Sequence, residues 1–276
     1  MDDFDGRVAV VTGAASGIGK ALALDFARRG MRIVAADVEE EPLAKVAREI
    51  TGLGAECLIH PTDVSRLEAV RALADAAYHR FGAVDVLCNN AGVTAGGVPL
   101  TKLKHEDWQW VLGVNLWGVV HGLEAFLPRM VEQDTPGHIV NTASILGQAV
   151  LWPNTAPYVA SKYAVVGLSE ALALELEDTP IGVTVICPGT VNTNIYEAER
   201  NRPEAYRVDR QPLDLRARMQ GVSPDWAEAG DVSARVLRAM EEGSLYVFTD
   251  PENTKGIEER FARLRRDFDT ARPVEK

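Results

Sequence analysis

The chain has little material for a disulfide framework or a metal centre. It carries 3 cysteines, Cys57, Cys88 and Cys187, an odd and widely spaced set. Two of them lie in apolar strand-like runs, so they read as core thiols. The histidines, His60, His79, His105, His121 and His138, are scattered without ligand-like spacing, which excludes a recognisable metal constellation. Positive charge is also scarce. With 29 Lys+Arg against 40 Asp+Glu the net charge is −11, which argues against nucleic acid or an anionic membrane as the main partner. No apolar run approaches the ~18 residues that span a bilayer. The opening "MDDFDGRVAVVTG" lacks the basic flank and long apolar region of a signal peptide, so the expected location is cytoplasmic. No Pro/Ser/Gly-rich linker and no internal repeat divides the sequence, and a single domain over 1–276 is expected.

What is present is a rhythm. Short β-branched runs at 7–12, 32–37, 56–60, 84–89, 138–144, 182–187 and 245–249 alternate with helix-like stretches at 17–29, 41–51, 65–80, 105–131, 158–177 and 224–241. Strands separated by helices of this length require crossover connections and a parallel sheet covered on both faces. The predicted fold is therefore α/β: a doubly wound, Rossmann-type, seven-stranded parallel sheet with helices on both faces. Local grammar agrees, since "SRLE" (Ser65 to Glu68) has the form of a capping box and Gly30 follows the basic end of the first helix. Residues 194–223 break the rhythm. The segment is polar and too long for an ordinary connection, and it follows a strand's carboxyl end, so a substrate lid is favoured over a disordered insertion. The charged tail at 251–276 is expected to form a peripheral helix with a frayed end.

"TGAASGIG" (Thr12 to Gly19) follows the first strand and opens the first helix. Gly13 and Gly17 would let backbone approach a ligand, Gly19 would allow tight packing, and free amides at the helix start suit a pyrophosphate. The spacing G-x-x-x-G-x-G departs from the generic G-x-G-x-x-G fingerprint, so strand–turn–helix context carries the reading. Asp37, at the end of the second strand, stands where an acid can meet the adenosine ribose hydroxyls and repel a 2′-phosphate, which favours NAD over NADP. No arginine in the glycine loop or directly after Asp37 offsets that charge. Asp63 and Val64 are candidates for holding the adenine, although an Asp leading into a helix is also good turn chemistry. In "YVASK", Tyr158 and Lys162 are helix neighbours at i and i+4, an arrangement in which a cation favours the phenolate.

These motifs, in this order, resemble the short-chain dehydrogenase/reductase family: "TGAASGIG", "NNAG" (Asn89 to Gly92), Asn115 in "GVNLWG", Ser144 after the fifth strand, "YVASK", and "PGTVNT" (Pro188 to Thr193). The resemblance spans nearly the whole chain. It implies that Tyr158 exchanges a proton with the substrate oxygen, that Lys162 lowers the phenol's pKa and holds the nicotinamide ribose, that Ser144 hydrogen-bonds the carbonyl or alcohol, and that Asn115 supports a water-linked proton path. The implied cofactor set is Thr12, Gly13, Ser16, Gly17, Ile18, Gly19, Asp37, Asp63, Val64, Asn90, Ala91 and Gly92, with Tyr158, Lys162, Pro188, Gly189, Val191 and Thr193 at the nicotinamide end. A homotetramer or dimer is implied, with 105–131 and 158–177 as contact helices. The gap from Ser144 to Tyr158 is one residue longer than is common in relatives, which leaves the loop between them open.

Substrate-binding candidates are Ser144, Ile145, Trp152, Tyr158 and Tyr196, with Val93, Leu146, Val150, Leu151 and Tyr206 as further walls; Trp152 could equally cap the core. Their apolar and aromatic character suits a bulky hydrophobic secondary alcohol or its ketone. "GVNLWGVVHGLEAFLPRM", "PGHIV" and "NIYEAERNRPEAY" resemble the branch containing the lignin-type β-aryl-ether Cα-dehydrogenases. The expected activity is NAD-dependent interconversion of an aryl or alicyclic secondary alcohol and its ketone. A 3-oxoacyl thioester reductase and a steroid or terpenoid dehydrogenase are the catalytic alternatives, and a redox-sensing scaffold that binds dinucleotide without turnover is the non-catalytic one.

Overall fold

In the computed structural model, residues 3–211, 213–221, 226–250 and 254–271 are described. The strands are β1 (Val8–Thr12), β2 (Arg32–Asp37), β3 (Cys57–Pro61), β4 (Val86–Asn89), β5 (Gly137–Thr142), β6 (Ile181–Cys187) and β7 (Tyr246–Phe248). They form one sheet of order β3-β2-β1-β4-β5-β6-β7. Every pairing is parallel. The order reverses between β1 and β4, which opens a crevice at the carboxyl ends of those strands.

The helices are α1 (Gly17–Arg28), α2 (Glu40–Gly52), α3 (Leu67–Phe81), α4 (His105–Leu112), α5 (Gly118–Glu132), α6 (Ala156–Glu175), α7 (Leu215–Gln220), α8 (Ala229–Glu242) and α9 (Thr254–Asp269). β1, β4 and β5, in the middle of the sheet, are buried from end to end because both of their faces are covered. Along β1, Ala9 and Val11 pack with Leu22 and Phe26 of α1 and Val236 of α8. Val8 and Val10 face the other way, against Leu73 of α3, Phe126 of α5 and Val165 of α6.

Three departures from the sequence reading have physical causes. The expected continuous helix at 105–131 is interrupted by a π-helical turn, Gly113–Trp117, which holds the buried Asn115. The predicted capping box at Ser65 is not made: α3 begins at Leu67, and the Ser65 hydroxyl donates to Asp63 Oδ1 at 2.7 Å instead. The run His105–Glu132 is long and apolar enough, by length and composition, to cross a membrane, contrary to the expectation that none approaches that size. Its Trp110, Val119, Phe126 and Met130 are buried within the protein.

The segment after β6 is ordered by arginines. It comprises 3-10 turns at Asn194–Asn201 and Glu204–Tyr206, followed by α7. Arg202 and Arg210 converge on the buried Asp107 of α4, at 2.8 and 2.7 Å. Burial pushes the Asp107 carboxyl up, but hydrogen bonds from Arg210, the Lys104 amide and Arg202 outweigh it and hold the pKa at about 2. Arg202 also stacks 4.3 Å above the Trp110 ring. Residues 212, 222 and 223 of the expected lid lie outside the described residues, as do 251–253 and 272–276 of the tail. The described tail is α9, whose Phe261, Leu264 and Phe268 are exposed.

Candidate active site

A cleft of about 570 Å³ runs along the carboxyl ends of β2, β1, β4, β5 and β6. One end is built by the loop after β1. Asn90 and Ala91 amides donate to Thr12 Oγ1 at 2.9 and 3.2 Å, which ties the "NNAG" turn to the start of the glycine loop. The glycines are required by close approach. A Cβ on Gly13 would stand 2.8 Å from Ala91 Cα, and one on Gly19 would stand 2.2 Å from the Gly13 carbonyl oxygen. With those side chains absent, Gly13, Ser16, Gly17 and Ile18 line an open backbone cradle at the start of α1. That cradle fits the pyrophosphate of a dinucleotide, because unpaired amides at a helix start bind anions.

Next to the cradle, Asp37 accepts hydrogen bonds from the Ala15 and Glu39 amides, both at 3.0 Å. Burial raises its pKa, and the amide hydrogen bonds oppose that rise. Asp63 and Val64 line the same end; Asp63 Oδ1 accepts from the Ser65 amide at 3.0 Å. The opposite wall comes from the "PGTVNT" turn, where Pro188, Gly189, Val191 and Thr193 all line the cleft. Thr193 comes so close to the glycine loop that a Cβ on Gly17 would stand 2.9 Å from its methyl.

At the other end, Ser144, Tyr158 and Lys162 face the cleft with Asn90, Ala91 and Gly92. Ser144 follows β5, and its hydroxyl accepts the Leu146 amide at 3.1 Å. The helix spacing brings Lys162 Nζ to 5.5 Å from the Tyr158 ring centroid, while the ammonium donates to the Thr142 carbonyl at 2.7 Å. Burial pushes the Tyr158 phenol up to about 12, with the Ser144 hydroxyl drawing it back, and burial pushes Lys162 down to about 8. Burial therefore works against the phenolate, the form that Lys162 is expected to favour. Desolvation disfavours phenolate and ammonium alike.

Several expected site residues lie behind the cleft wall rather than on it. Thr12 is buried and acts through Asn90 and Ala91, and Gly19 packs on Gly13. Asn115 is fully buried: Oδ1 accepts the Val93 amide at 2.8 Å, and Nδ2 donates to the Val93 carbonyl and to Ser161 Oγ. Ile145 is buried behind Ser144, its amide on the Pro188 carbonyl at 2.9 Å. Val150 points to solvent, and Leu151 abuts Gly256 at the start of α9. Tyr206 packs beside Trp110 and Val111 rather than in the cleft. Trp152 and Tyr196 do line it, together with Val93 and Leu146. Tyr196 packs on Trp226, ring centroids 4.8 Å apart, and the Arg216 guanidinium lies over both rings, at 5.5 and 5.3 Å.

The cleft also contains residues that the sequence did not single out: Glu39, Trp110, Arg200, Leu215, Arg218 and Met219. Leu215, Arg218 and Met219 lie on one helical surface of α7, a spacing visible in the sequence once the helix is located. Nothing in the sequence pairs Arg200 with Glu39.

Comparison with known proteins gives concordant matches. The family model for short chain dehydrogenase matches residues 7–204. A C alpha-dehydrogenase from Sphingobium sp. (strain NBRC 103272 / SYK-6) is 34% identical, covering 100% of this chain and 90% of the relative. A 1-deoxy-11-beta-hydroxypentalenate dehydrogenase from Streptomyces exfoliatus is 35% identical over 92% of this chain and 87% of its own. Among solved structures, a short chain dehydrogenase/reductase from Burkholderia phymatum in complex with NAD superposes with a TM-score of 0.92 at 41% identity, covering 100% of both chains.

Proposed function

The chain belongs to the short-chain dehydrogenase family, and from that premise we propose that it is an NAD-dependent oxidoreductase interconverting a bulky hydrophobic secondary alcohol, aryl or alicyclic, and its ketone. The observation that carries the reading is the placement of Ser144, Tyr158 and Lys162 on one wall of a cleft whose other end is the glycine cradle and Asp37.

When bound, NAD supplies the nicotinamide that accepts hydride from the carbinol carbon, together with a positive charge in its oxidised form. The chain supplies binding and proton chemistry. Gly13, Ser16, Gly17 and Ile18 hold the pyrophosphate, Asp37 takes the adenosine ribose hydroxyls, and Asp63 with Val64 takes the adenine. The Tyr158 hydroxyl exchanges a proton with the substrate oxygen, and the Ser144 hydroxyl hydrogen-bonds that same oxygen, which orients it. Lys162 holds the nicotinamide ribose and favours the phenolate. Asn115 is a positioning residue, fixing the Val93 backbone at the edge of Gly92. Trp152, Tyr196, Val93 and Leu146 form apolar walls for the substrate. The segment 194–223 serves as the lid, and among its described residues Ile195, Ala198, Leu215 and Met219 line the remaining wall.

The names of two relatives support the substrate class, one for dehydrogenation at a Cα and the other for a hydroxypentalenate. Self-association through α4, α5 and α6 and a cytoplasmic location complete the reading; Val131 of α5, Leu174 of α6 and Trp117 of the π-helical turn between α4 and α5 are exposed. A panel of secondary alcohols, 3-hydroxyacyl thioesters and sterols, read by NADH absorbance with product identification, tests it. Aryl or alicyclic alcohols are expected to give the largest kcat/KM. Preference for the thioesters supports the carrier reductase instead, and NADH binding without turnover of any member supports the scaffold.

A further inference from the structure

Arg200 and Glu39 meet across the cleft, 161 residues apart in sequence, in a two-pronged ion pair. Nε donates to Oε1 at 3.0 Å and Nη2 to Oε2 at 2.6 Å. The third nitrogen, Nη1, is engaged as well, donating to the Asn194 and Glu197 carbonyls at 2.9 and 3.0 Å. Both residues line the cleft beside Asp37 and Val38. Glu39 is also tied directly to Asp37, since its amide donates to Asp37 Oδ1. The guanidinium is therefore bound to a carboxylate that lies two residues along the chain from the one assigned to the adenosine ribose.

Among the described residues lining the cleft, the cations are Lys162, Arg200 and Arg218. Lys162 lies at the opposite end on the Thr142 carbonyl, and Arg218 reaches the Gly97 carbonyl at 3.4 Å. Arg200 is thus the one cation of the three placed at the adenosine end. A planar guanidinium is also the side chain best matched to a phosphate, through two parallel hydrogen bonds. Four of its five N–H bonds are already spent on Glu39 and two carbonyls.

We propose that Glu39 is a cofactor-specificity residue: by occupying the Arg200 fork it denies a 2′-phosphate the one cation that, among the described residues lining the cleft, is placed to offset Asp37. Discrimination against NADP(H) is then built from two carboxylates, one repelling the phosphate and one sequestering its partner. This rests on the NAD reading of the site. A salt bridge that served only to tie the 194–201 turn to the sheet would affect stability and leave the two coenzymes equally affected.

The test is direct binding of NADH and NADPH by fluorescence titration, with no alcohol present, to the wild type, Glu39→Gln, Glu39→Ala and Glu39→Gln/Arg200→Gln. Circular dichroism and Tm confirm that each variant is folded. Glu39→Gln is expected to tighten NADPH binding about tenfold at low salt while NADH stays within about threefold. The gain should shrink as ionic strength rises and vanish in the double variant. Unchanged NADPH affinity in folded Glu39→Gln and Glu39→Ala, or a gain that survives loss of Arg200, overturns the proposal. A wild type that already binds NADPH more tightly than NADH overturns the reading of Asp37 itself, a separate outcome.

Discussion

Asp107 and Arg202, 95 residues apart, meet at 2.8 Å with the carboxylate fully buried and the guanidinium almost so. Arg210 completes the cluster from the same segment at 2.7 Å. The second turn after β6 is therefore fastened to α4 by charge, and the fastening depends on one carboxylate.

Replacing that carboxylate with its amide leaves two guanidiniums facing a neutral group, one of them buried. Breaking a buried ion pair from one side typically costs about 3–5 kcal/mol. Asp107→Asn is expected to lower unfolding free energy by that order in urea titrations and to weaken binding of hydrophobic alcohols. A loss below about 1 kcal/mol would mean that the cluster contributes little net stability.

Tyr158→Phe removes only the hydroxyl. Turnover is expected to fall by about 10²–10⁴-fold or more, since that is the range for a positioned acid–base group. NADH binding by fluorescence should stay within about threefold. Residual activity near the wild-type level would transfer the proton role to another group.

His138 gives a prediction for pH. It is buried on β5, and its Nε2 lies 2.8 Å from Thr184 Oγ1, which itself donates to the Ser244 carbonyl. Nε2 must then carry the hydrogen, and the ring is neutral. Burial drives its pKa from 6.5 down to about 3. The unfolded chain binds this proton below pH 6.5 and the folded chain does not, so stability is present above 6.5 and is lost as pH falls toward 3. Denaturant titrations of the wild type should lose about 1.4 kcal/mol per pH unit more than His138→Gln across that window. Parallel curves for the two proteins would remove His138 from the acid response.

The sheet and the cleft were legible in the sequence for a simple reason. Parallel strands covered on both faces must be apolar throughout, and the ligand-facing turns need glycines or polar groups at fixed places, so "RVAVVT" before "GAASGIG" carries both signals. Tyr158 and Lys162 were placed together by their i, i+4 helix spacing, whereas Ser144 joined them only through the family resemblance. The substrate walls were less legible. Ile145 and Leu146 are adjacent, yet one is buried behind the wall and the other is on it, a difference set by the hydrogen bond from the Ile145 amide to Pro188. Contacts such as Glu39 to Arg200 and Asp107 to Arg202 join distant segments through exposed-looking charged residues, which carry no periodic signal. The π-helical turn was equally hidden, because a one-residue widening of a helix barely alters its hydrophobic period.

All seven strands run the same way, so every connection entering a strand lies on the edge away from the cleft. Asp134 and Asp178, both exposed, belong to that remote rim. A fluorophore, an affinity handle or a covalent link to a bead or an electrode attached there would leave the mouth of the cleft facing outward. The molecule thus has one side available for engineering and another reserved for chemistry.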